Sequence, residues 1–382
     1  MRKKVTIREL GTIITGNTPP RCMPDLYGDY TPFVKATDIS ESEKYTYNPE
    51  EGYSKKGHDR YIKSLVPKGS TCVVTIGSIG KKMTMAHCDL FINQAMNAII
   101  PNKNYDKEFV YYAVKNVLSN IKGLDSGTAS GRENVSKSAF SRMEVVVDDD
   151  LKIQQRIAAI LTRYDSLIEN YQKQTKLLEE AAQRLYKEWF VNLRFPGYEG
   201  TKIIDGVPEG WKLSKLGTLA EFKRGKTITK KDVIEGSIPV VAGGLEPAYY
   251  CNKSNTAERV ITVSGSGANA GFTKMYFEKI WASDCSYVDF KVTPFLHFVY
   301  CYLKDNKTTI DNMQKGAAQP HVYAKDINAL ELCVPTKEIL KTFEKIISIN
   351  FNTISFLRSQ IHLLTEARDR LLPKLMGGEM TV

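Results

Sequence analysis

The sequence predicts an α+β protein: two tandem mixed α/β units, each followed by a long helix, with the two helices pairing as an antiparallel coiled coil. The first observation is the stretch Ile153 to Phe190, IQQRIAAILTRYDSLIENYQKQTKLLEEAAQRLYKEWF. Its residues Ile153, Ile157, Ile160, Tyr164, Leu167, Tyr171, Gln174, Leu178, Ala181 and Leu185 alternate four and three apart, the spacing of a heptad seam. The second is that Ile339, Phe343, Ile346, Asn350, Thr353, Leu357, Gln360, Leu364, Ala367 and Leu371 repeat that spacing, each 186 residues after its counterpart. The third is that the segments before the two stretches run through similar strand and turn signals in the same order.

The long helix has no internal Pro or Gly, and Asp148, Asp149 and Asp150 precede it, where acids favour a helix start. At about 1.5 Å per residue it extends for more than about 50 Å, too long to bury its own seam, so it needs a partner. Identity between the two stretches extends to polar positions. Leu177-Leu178-Glu179-Glu180-Ala181 answers Leu363-Leu364-Thr365-Glu366-Ala367, and Gln174 answers Gln360. Independent amphipathic helices would share the period but not these residues, so the chain reads as one segment-plus-helix unit written twice.

Before the first helix, residues 1–147 read as short strands and turns. LVPKGSTCVVTIGSIG has the β-branched run and flanking Gly of a buried strand leading into a loop. Phe91 to Ile100 reads as another strand, Phe109 to Ile121 as a helix, and Glu144 to Val147 as a last strand. Phe195-Pro196-Gly197 is expected to end the long helix. Residues 196–211 read as a hinge, closing on the turn-rich GVPEGW at Gly206–Trp211. Residues 212–334 then replay the first unit: VITVSGSGANAG stands where VVTIGSIG stood, Phe295 to Leu303 is the helix counterpart and Leu330 to Val334 the last strand.

Composition narrows the function. The 382 residues carry a net charge of +10, spread over both units and both helices with no basic tail, which suits a folded surface for a polyanion. The seven Cys form no CxxC pair and no signal peptide follows MRKKVTIREL, which points to a reducing cytoplasm. No apolar run approaches the roughly 20 residues of a membrane span.

Catalytic motifs fail one by one. Gly225-Lys226-Thr227 resembles the end of a phosphate loop, but the required first Gly falls at Ala220. Gly265-Ser266-Gly267-Ala268-Asn269-Ala270 precedes FTKMYFEKIWASD, which reads as strand, so no helix N-terminus follows to hold a pyrophosphate. Asn17-Thr18-Pro19-Pro20 only loosely resembles the NPPY box of adenine methyltransferases. Pro24-Asp25 lacks the downstream acid and Lys of a restriction-nuclease core. The five His show no ligand spacing. No catalytic residue, metal or cofactor is therefore assigned.

Candidate DNA contacts are the polar, glycine-containing stretches bearing side chains that pair with phosphates and base edges. In the first unit these offer Arg21, Lys55, Lys56, Arg60, Lys81, Lys82, Arg132 and Asn134. In the second they offer Lys223, Arg224, Lys226, Asn269, Lys315, Gln319 and His321. A single surface Lys or Arg is more often a solvated charge than a contact. Arg132, Asn134, Gln319 and His321 stand out because they occupy equivalent loops, near an offset of 187, with changed residues.

The tandem layout, GVPEGW at Gly206–Trp211, IQQRIAAIL at Ile153–Leu161, LLEEAAQRLYKEWF with its following FPG, and the closing TEARDRLLPKLMGGE together resemble the specificity subunit of Type I restriction–modification systems. The resemblance covers the whole chain, strongly in the helices and hinge and loosely in the two units. It implies target-recognition domains at 1–147 and 212–334, each reading half of a split, asymmetric double-stranded DNA site. It further implies spacer helices at 148–195 and 335–382, and a non-catalytic subunit. Two adenine-methyltransferase subunits using S-adenosylmethionine and ATP-driven restriction subunits would be its partners. The first unit lacks a GVPEGW-like opening and starts at KVTIRELG, so its first residues are expected to be less well anchored. Two other readings remain open: a Type IIB-like specificity subunit with one fused cleaving and methylating partner, and a coiled-coil scaffold that does not touch DNA.

Overall fold

The computed structural model describes residues 2–125, 133–314 and 320–382. The chain divides into two units, Met1–Tyr171 with Gln360–Val382, and Gln172–Ser359.

In the first unit, β1 (Arg2–Thr6) leads into a single helical turn α1 (Ile7–Leu10) and β2 (Gly11–Thr15). Next come β3 (Tyr27–Val34), β4 (Glu51–Tyr53), α2 (Lys55–Tyr61), β5 (Thr71–Val74), β6 (Met83–Met85), β7 (Phe91–Ile92) and β8 (Met96–Pro101). The unit continues with α3 (Lys107–Asn116), α4 (Lys137–Arg142), β9 (Glu144–Asp148) and the start of α5 (Leu151–Tyr186). The strands make a four-stranded sheet β2-β8-β5-β6, a three-stranded sheet β4-β3-β7 and the pair β1-β9.

The second unit opens with the hairpin β10 (Ile203–Ile204) and β11 (Val207–Pro208), turned by Asp205 and Gly206 at φ 50° and 78°. The Asp-Gly of the hinge is thus the two-residue turn its chemistry favours. Then come β12 (Lys212–Lys215), α6 (Leu216–Leu219), β13 (Lys223–Arg224), β14 (Ile238–Val241), β15 (Tyr249–Cys251), β16 (Val260–Ser264), β17 (Thr273–Tyr276), β18 (Trp281–Ala282) and β19 (Cys285–Asp289). The unit closes with α7 (Leu296–Asp305), α8 (Lys307–Asn312), α9 (Ala324–Asn328), β20 (Glu331–Val334) and the start of α10 (Lys337–Gly377). Its sheets are β13-β19-β16-β17, β15-β14-β18 and β12-β20. Strand for strand, this is the topology of the first unit. The duplication inferred from the helices therefore extends through both sheets, although their sequences have diverged.

Several local expectations change. Phe91 to Ile100 is two strands parted by a turn at Asn93–Ala95, because Met96 N–H reaches back to the Asn93 carbonyl at 3.1 Å. Lys55 to Arg60 is helical, capped by the Ser54 hydroxyl accepting from Gly57 N–H at 3.1 Å. The first residues are anchored: β1 pairs with β9 from Arg2↔Asp148 to Thr6↔Glu144, and Arg2 Nη2 donates to the Leu375 carbonyl at 2.6 Å. The second unit opens on the equivalent pair, β12 with β20 from Lys212↔Val334 to Lys215↔Glu331. The first long helix stops regular winding at Tyr186, passes through a wider turn over Lys187–Val191, and breaks at Leu193 with φ 57°, ahead of Pro196 and Gly197.

The two long helices run antiparallel within each unit. In the first, Asp165 of α5 meets Arg368 of α10, and Ile157, Ala158 and Leu161 share a core with Leu372, Leu375 and Met376. In the second, Glu179 meets Arg358 and Tyr186 meets Phe343. The buried face is offset by one residue from the expected seam. On α5 it runs Gln154, Ala158, Leu161, Asp165, Ile168, Ala182 and Tyr186, again in steps compatible with four and three. On α10 it runs Leu340, Ile347, Phe351, Ile354, Arg368, Leu372 and Leu375.

Of the expected seam, Ile157, Phe343 and Leu357 are buried. Ile153, Ile160, Leu178, Leu185, Ile339 and Leu371 pack at its flanks. Tyr164 and Leu364 are half-buried, while Leu167 and Ile346 are exposed. The physical reason is that each helix packs on its own unit as well as on its partner helix, and polar residues fasten it there. Gln154 accepts from Asp106 N–H at 2.9 Å and donates to the Asp148 carbonyl at 2.8 Å. Glu344 accepts from Phe298 N–H at 2.9 Å and pairs with His297 at 2.7 Å.

Candidate nucleic-acid interface

In each unit one end of the four-stranded sheet gathers the same loops. In the first unit, the chain leaving β2 is tied to the β7–β8 turn: Gly16 N–H donates to the Met96 carbonyl and Asn17 N–H to the Ile92 carbonyl, at 3.1 and 3.0 Å. In the second, Gly225 N–H donates to the Cys285 carbonyl and Lys226 N–H to the Ala282 carbonyl, at 2.8 and 2.9 Å. Both glycines are required by close approach. A Cβ on Gly16 would lie 2.2 Å from the Ile92 oxygen, and one on Gly225 2.4 Å from the Ser283 oxygen.

The segments before α4 and α9 close the same end. Val135 N–H donates to the Thr75 carbonyl at 2.8 Å, and Val322 N–H to the Gly265 carbonyl at 3.1 Å. Bridges Ile76↔Asn134 and Ser266↔His321 complete the match, so Asn134 and His321 are structurally equivalent positions. Arg132, Lys315 and Gln319 lie outside the described residues.

The side chains on this common frame differ. The first unit presents amides and hydroxyls. Thr15 donates to Asn97 Oδ1 at 2.6 Å, Asn17 Nδ2 donates to Ser64 at 2.9 Å, and the Thr18 hydroxyl bonds the Gln94 amide. The second unit presents charge: Arg224 Nη2 lies 3.7 Å from Asp284 Oδ1, and Ser266 donates to Asp284 Oδ2. His321 stacks on Tyr323 at 5.9 Å between ring centroids. Gln94 and Asp284 are absent from the sequence-derived set, whereas Asn17 and Ser266 lie in its candidate loops Thr15 to Arg21 and Ser264 to Asn269 without being singled out there. Nothing in linear spacing places them at one sheet end, and an acid is not an obvious DNA contact.

The basic candidates separate into groups. Arg21 forks onto Glu51, both contacts at 2.9 Å, and this pairing raises its pKa and lowers that of Glu51. Lys55 pairs with Asp59 at 2.5 Å, Lys56 with Asp25, and Arg60 faces the Met23 sulfur at 3.4 Å. Of these four, Arg21, Lys55 and Lys56 are thus paired with neighbouring acids, and Lys55, Lys56 and Arg60 sit on α2 rather than at the gathered loops. Lys81 is exposed on the β5–β6 loop, and the partly buried Lys82 reaches the Ala36 carbonyl at 3.5 Å. Lys223, Arg224 and Lys226 are exposed on and just beyond β13, and Asn269 is half-buried on the β16–β17 loop. Among the described residues no group of His, Cys, Asp and Glu is arranged to hold a metal, and no helix is long and apolar enough to cross a membrane.

Comparison with known proteins follows the same lines. Residues 2–180 and 208–364 match the Type I restriction modification DNA specificity domain. The Type I restriction enzyme MjaIX specificity subunit of Methanocaldococcus jannaschii is 25% identical over 98% of this chain and 93% of its own length. The HindI specificity subunit of Haemophilus influenzae is 30% identical, over 37% of this chain and 30% of its own. The crystal structure of a Type I restriction–modification S subunit from M. genitalium shares the fold, with a TM-score of 0.59 and 18% identity over 98% of this chain and 96% of that one. With a family match in each half and a shared fold along nearly all of its length, this chain belongs to the Type I restriction modification DNA specificity family.

Proposed function

We propose that this chain reads a bipartite, asymmetric DNA target, one half per unit, and directs adenine methylation or restriction carried out by partner subunits. The observation that carries the reading is one loop frame built twice and furnished with different side chains. A repeated frame suits one mode of docking on a duplex, and changed side chains suit two different short sequences. The paired helices then act as the spacer that sets the unread gap.

A surface for the partners is supported by the residues left over from the helix seam. Ile349 and Phe356 of α10 are 66% and 60% exposed and seven residues apart, with Ile346 beside them. Large apolar side chains repeating along one helix face suit docking of a partner such as an adenine-methyltransferase subunit. Substituting Ile349 and Phe356 by Ser is expected to weaken co-purification of that subunit while leaving the chain folded.

Methylome sequencing of a cell carrying this gene with its methyltransferase partner tests the whole reading. A split motif with methyladenine in each half, lost when the gene is deleted, is the expected result. A chain that binds its partners with no such motif, and with no loss of DNA affinity as salt rises, would instead be a scaffold.

A further inference from the structure

We propose that Arg224 reads a guanine in the half-site of the second unit and that Asp284, clamped by Ser266, is the positioning residue that aims it. This rests on the reading above and adds a residue and a base to it. Arg224 ends β13 at the gathered loops with its side chain 68% exposed. Its one ion pair among the described residues is with Asp284 Oδ1, at 3.7 Å, a distance that orients the guanidinium without occupying its donors. Arg21 is the contrast, since both of its terminal nitrogens are already spent on Glu51 at 2.9 Å.

Asp284 is itself held. Its Oδ2 accepts from Ser266, its carbonyl accepts from Gly265 N–H at 3.1 Å, and the adjacent Ser283 N–H is fixed to the Val241 carbonyl at 2.8 Å. The close approach required at Gly225 seats the end of β13 against this turn.

Charge decides which part of DNA such a couple suits. A phosphate contact calls for an uncompensated cation, and a carboxylate beside the guanidinium would repel the backbone. A G·C pair presents acceptors at guanine O6 and N7, with the cytosine amino donor next to them. That pattern complements an arginine fork with a carboxylate alongside. In the first unit the matching positions hold Thr15 before Gly16, and Ala95 in the β7–β8 turn, whose carbonyl accepts from Thr75 N–H as that of Asp284 does from Gly265, with no charge at either. The two reading surfaces differ in charge at this point, so the two half-sites should differ there too.

The test is the methylome of the full chain with its methyltransferase subunits, comparing wild type with Arg224→Gln, Arg224→Lys and Asp284→Asn. Arg224→Gln should cut preference for one guanine roughly 5- to 100-fold, the worth of a bidentate base contact, and shift it towards adenine. The other half-site should stay unchanged, which also reports that the complex is folded. Arg224→Lys should weaken the same preference, because a lysine ammonium on a flexible stem lacks the rigid planar fork that Asp284 aims. Asp284→Asn should relax that position more weakly and touch no other. An unaltered motif in Arg224→Gln overturns the assignment. So does an even loss at all positions that Arg224→Lys restores, the mark of a phosphate contact. A wild-type chain that supports no bipartite motif overturns the function proposed above, and this assignment with it.

Discussion

Single residues carry more of the architecture than the hydrophobic pattern suggests. Arg368 and Asp165, each about nine-tenths buried, meet at 2.7 Å, and Tyr112 donates to the second Asp165 oxygen at 2.5 Å. Removing one member leaves the other charged and dry. Arg368→Ala should therefore cost about 3–5 kcal/mol in urea unfolding. Arg370→Ala, which breaks an exposed pair with Glu366, should cost under about 0.5 kcal/mol. Lys115 lies close by, and burial pushes its pKa down to about 8. Above that value and below the ordinary lysine range, the unfolded chain keeps a proton that the folded chain has released, so stability from this residue rises with pH. Lys115→Met should accordingly be more stable than wild type at pH 7, with the gap in Tm closing towards pH 10. The thiols offer a simpler check. Burial raises Cys72 and Cys285 to about 12, while Cys22 is exposed, so a thiol reagent should label Cys22 first and leave those two until unfolding.

At the scale of elements, the long helices show what period alone can and cannot resolve. A four-three spacing was legible in both, and so was their equivalence. Which of two adjacent stripes faces inward was not, because the apolar stripe through Leu167 and Ile346 reads as the better seam. Those two are 42% and 43% exposed, while the neighbouring stripe buries Gln154, Asp165 and Arg368 against partners supplied by the folded unit. The stripes separate by mutation. Leu161→Ala and Ile354→Ala should each cost about 2–5 kcal/mol, whereas Leu167→Gln and Ile346→Gln should stay within about 0.5 kcal/mol. Short elements were legible where a cap or turn residue marks them, as in the Asp-Gly hairpin of the hinge. They were merged into longer stretches where strands are two residues long, as β7 was with β8 over Phe91 to Ile100 and β18 was within the strand-like run after Gly271.

For the molecule as a whole, the antiparallel pairing of two copies of one helix makes length a functional variable in the proposed reading. Deleting one heptad from each helix shortens the spacer by about 10 Å. That should shrink the unread gap of the methylated motif by up to about three base pairs and leave both half-site sequences intact. A variant that keeps the original gap, or changes either half-site, would separate spacing from helix length.

The sequence by itself determined the tandem plan, the long paired helices and the family, because periodicity and repetition are properties of order along the chain. Only the tertiary structure decided the inward stripe of each helix and the gathering of Thr15, Asn17, Gln94 and Asn134 in one unit. It alone brought Arg224, Ser266, Asp284 and His321 together in the other. Those residues are scattered over more than ninety positions in each unit. What brings them together is strand pairing and two glycines that admit close backbone approach, and neither leaves a periodic trace in the sequence.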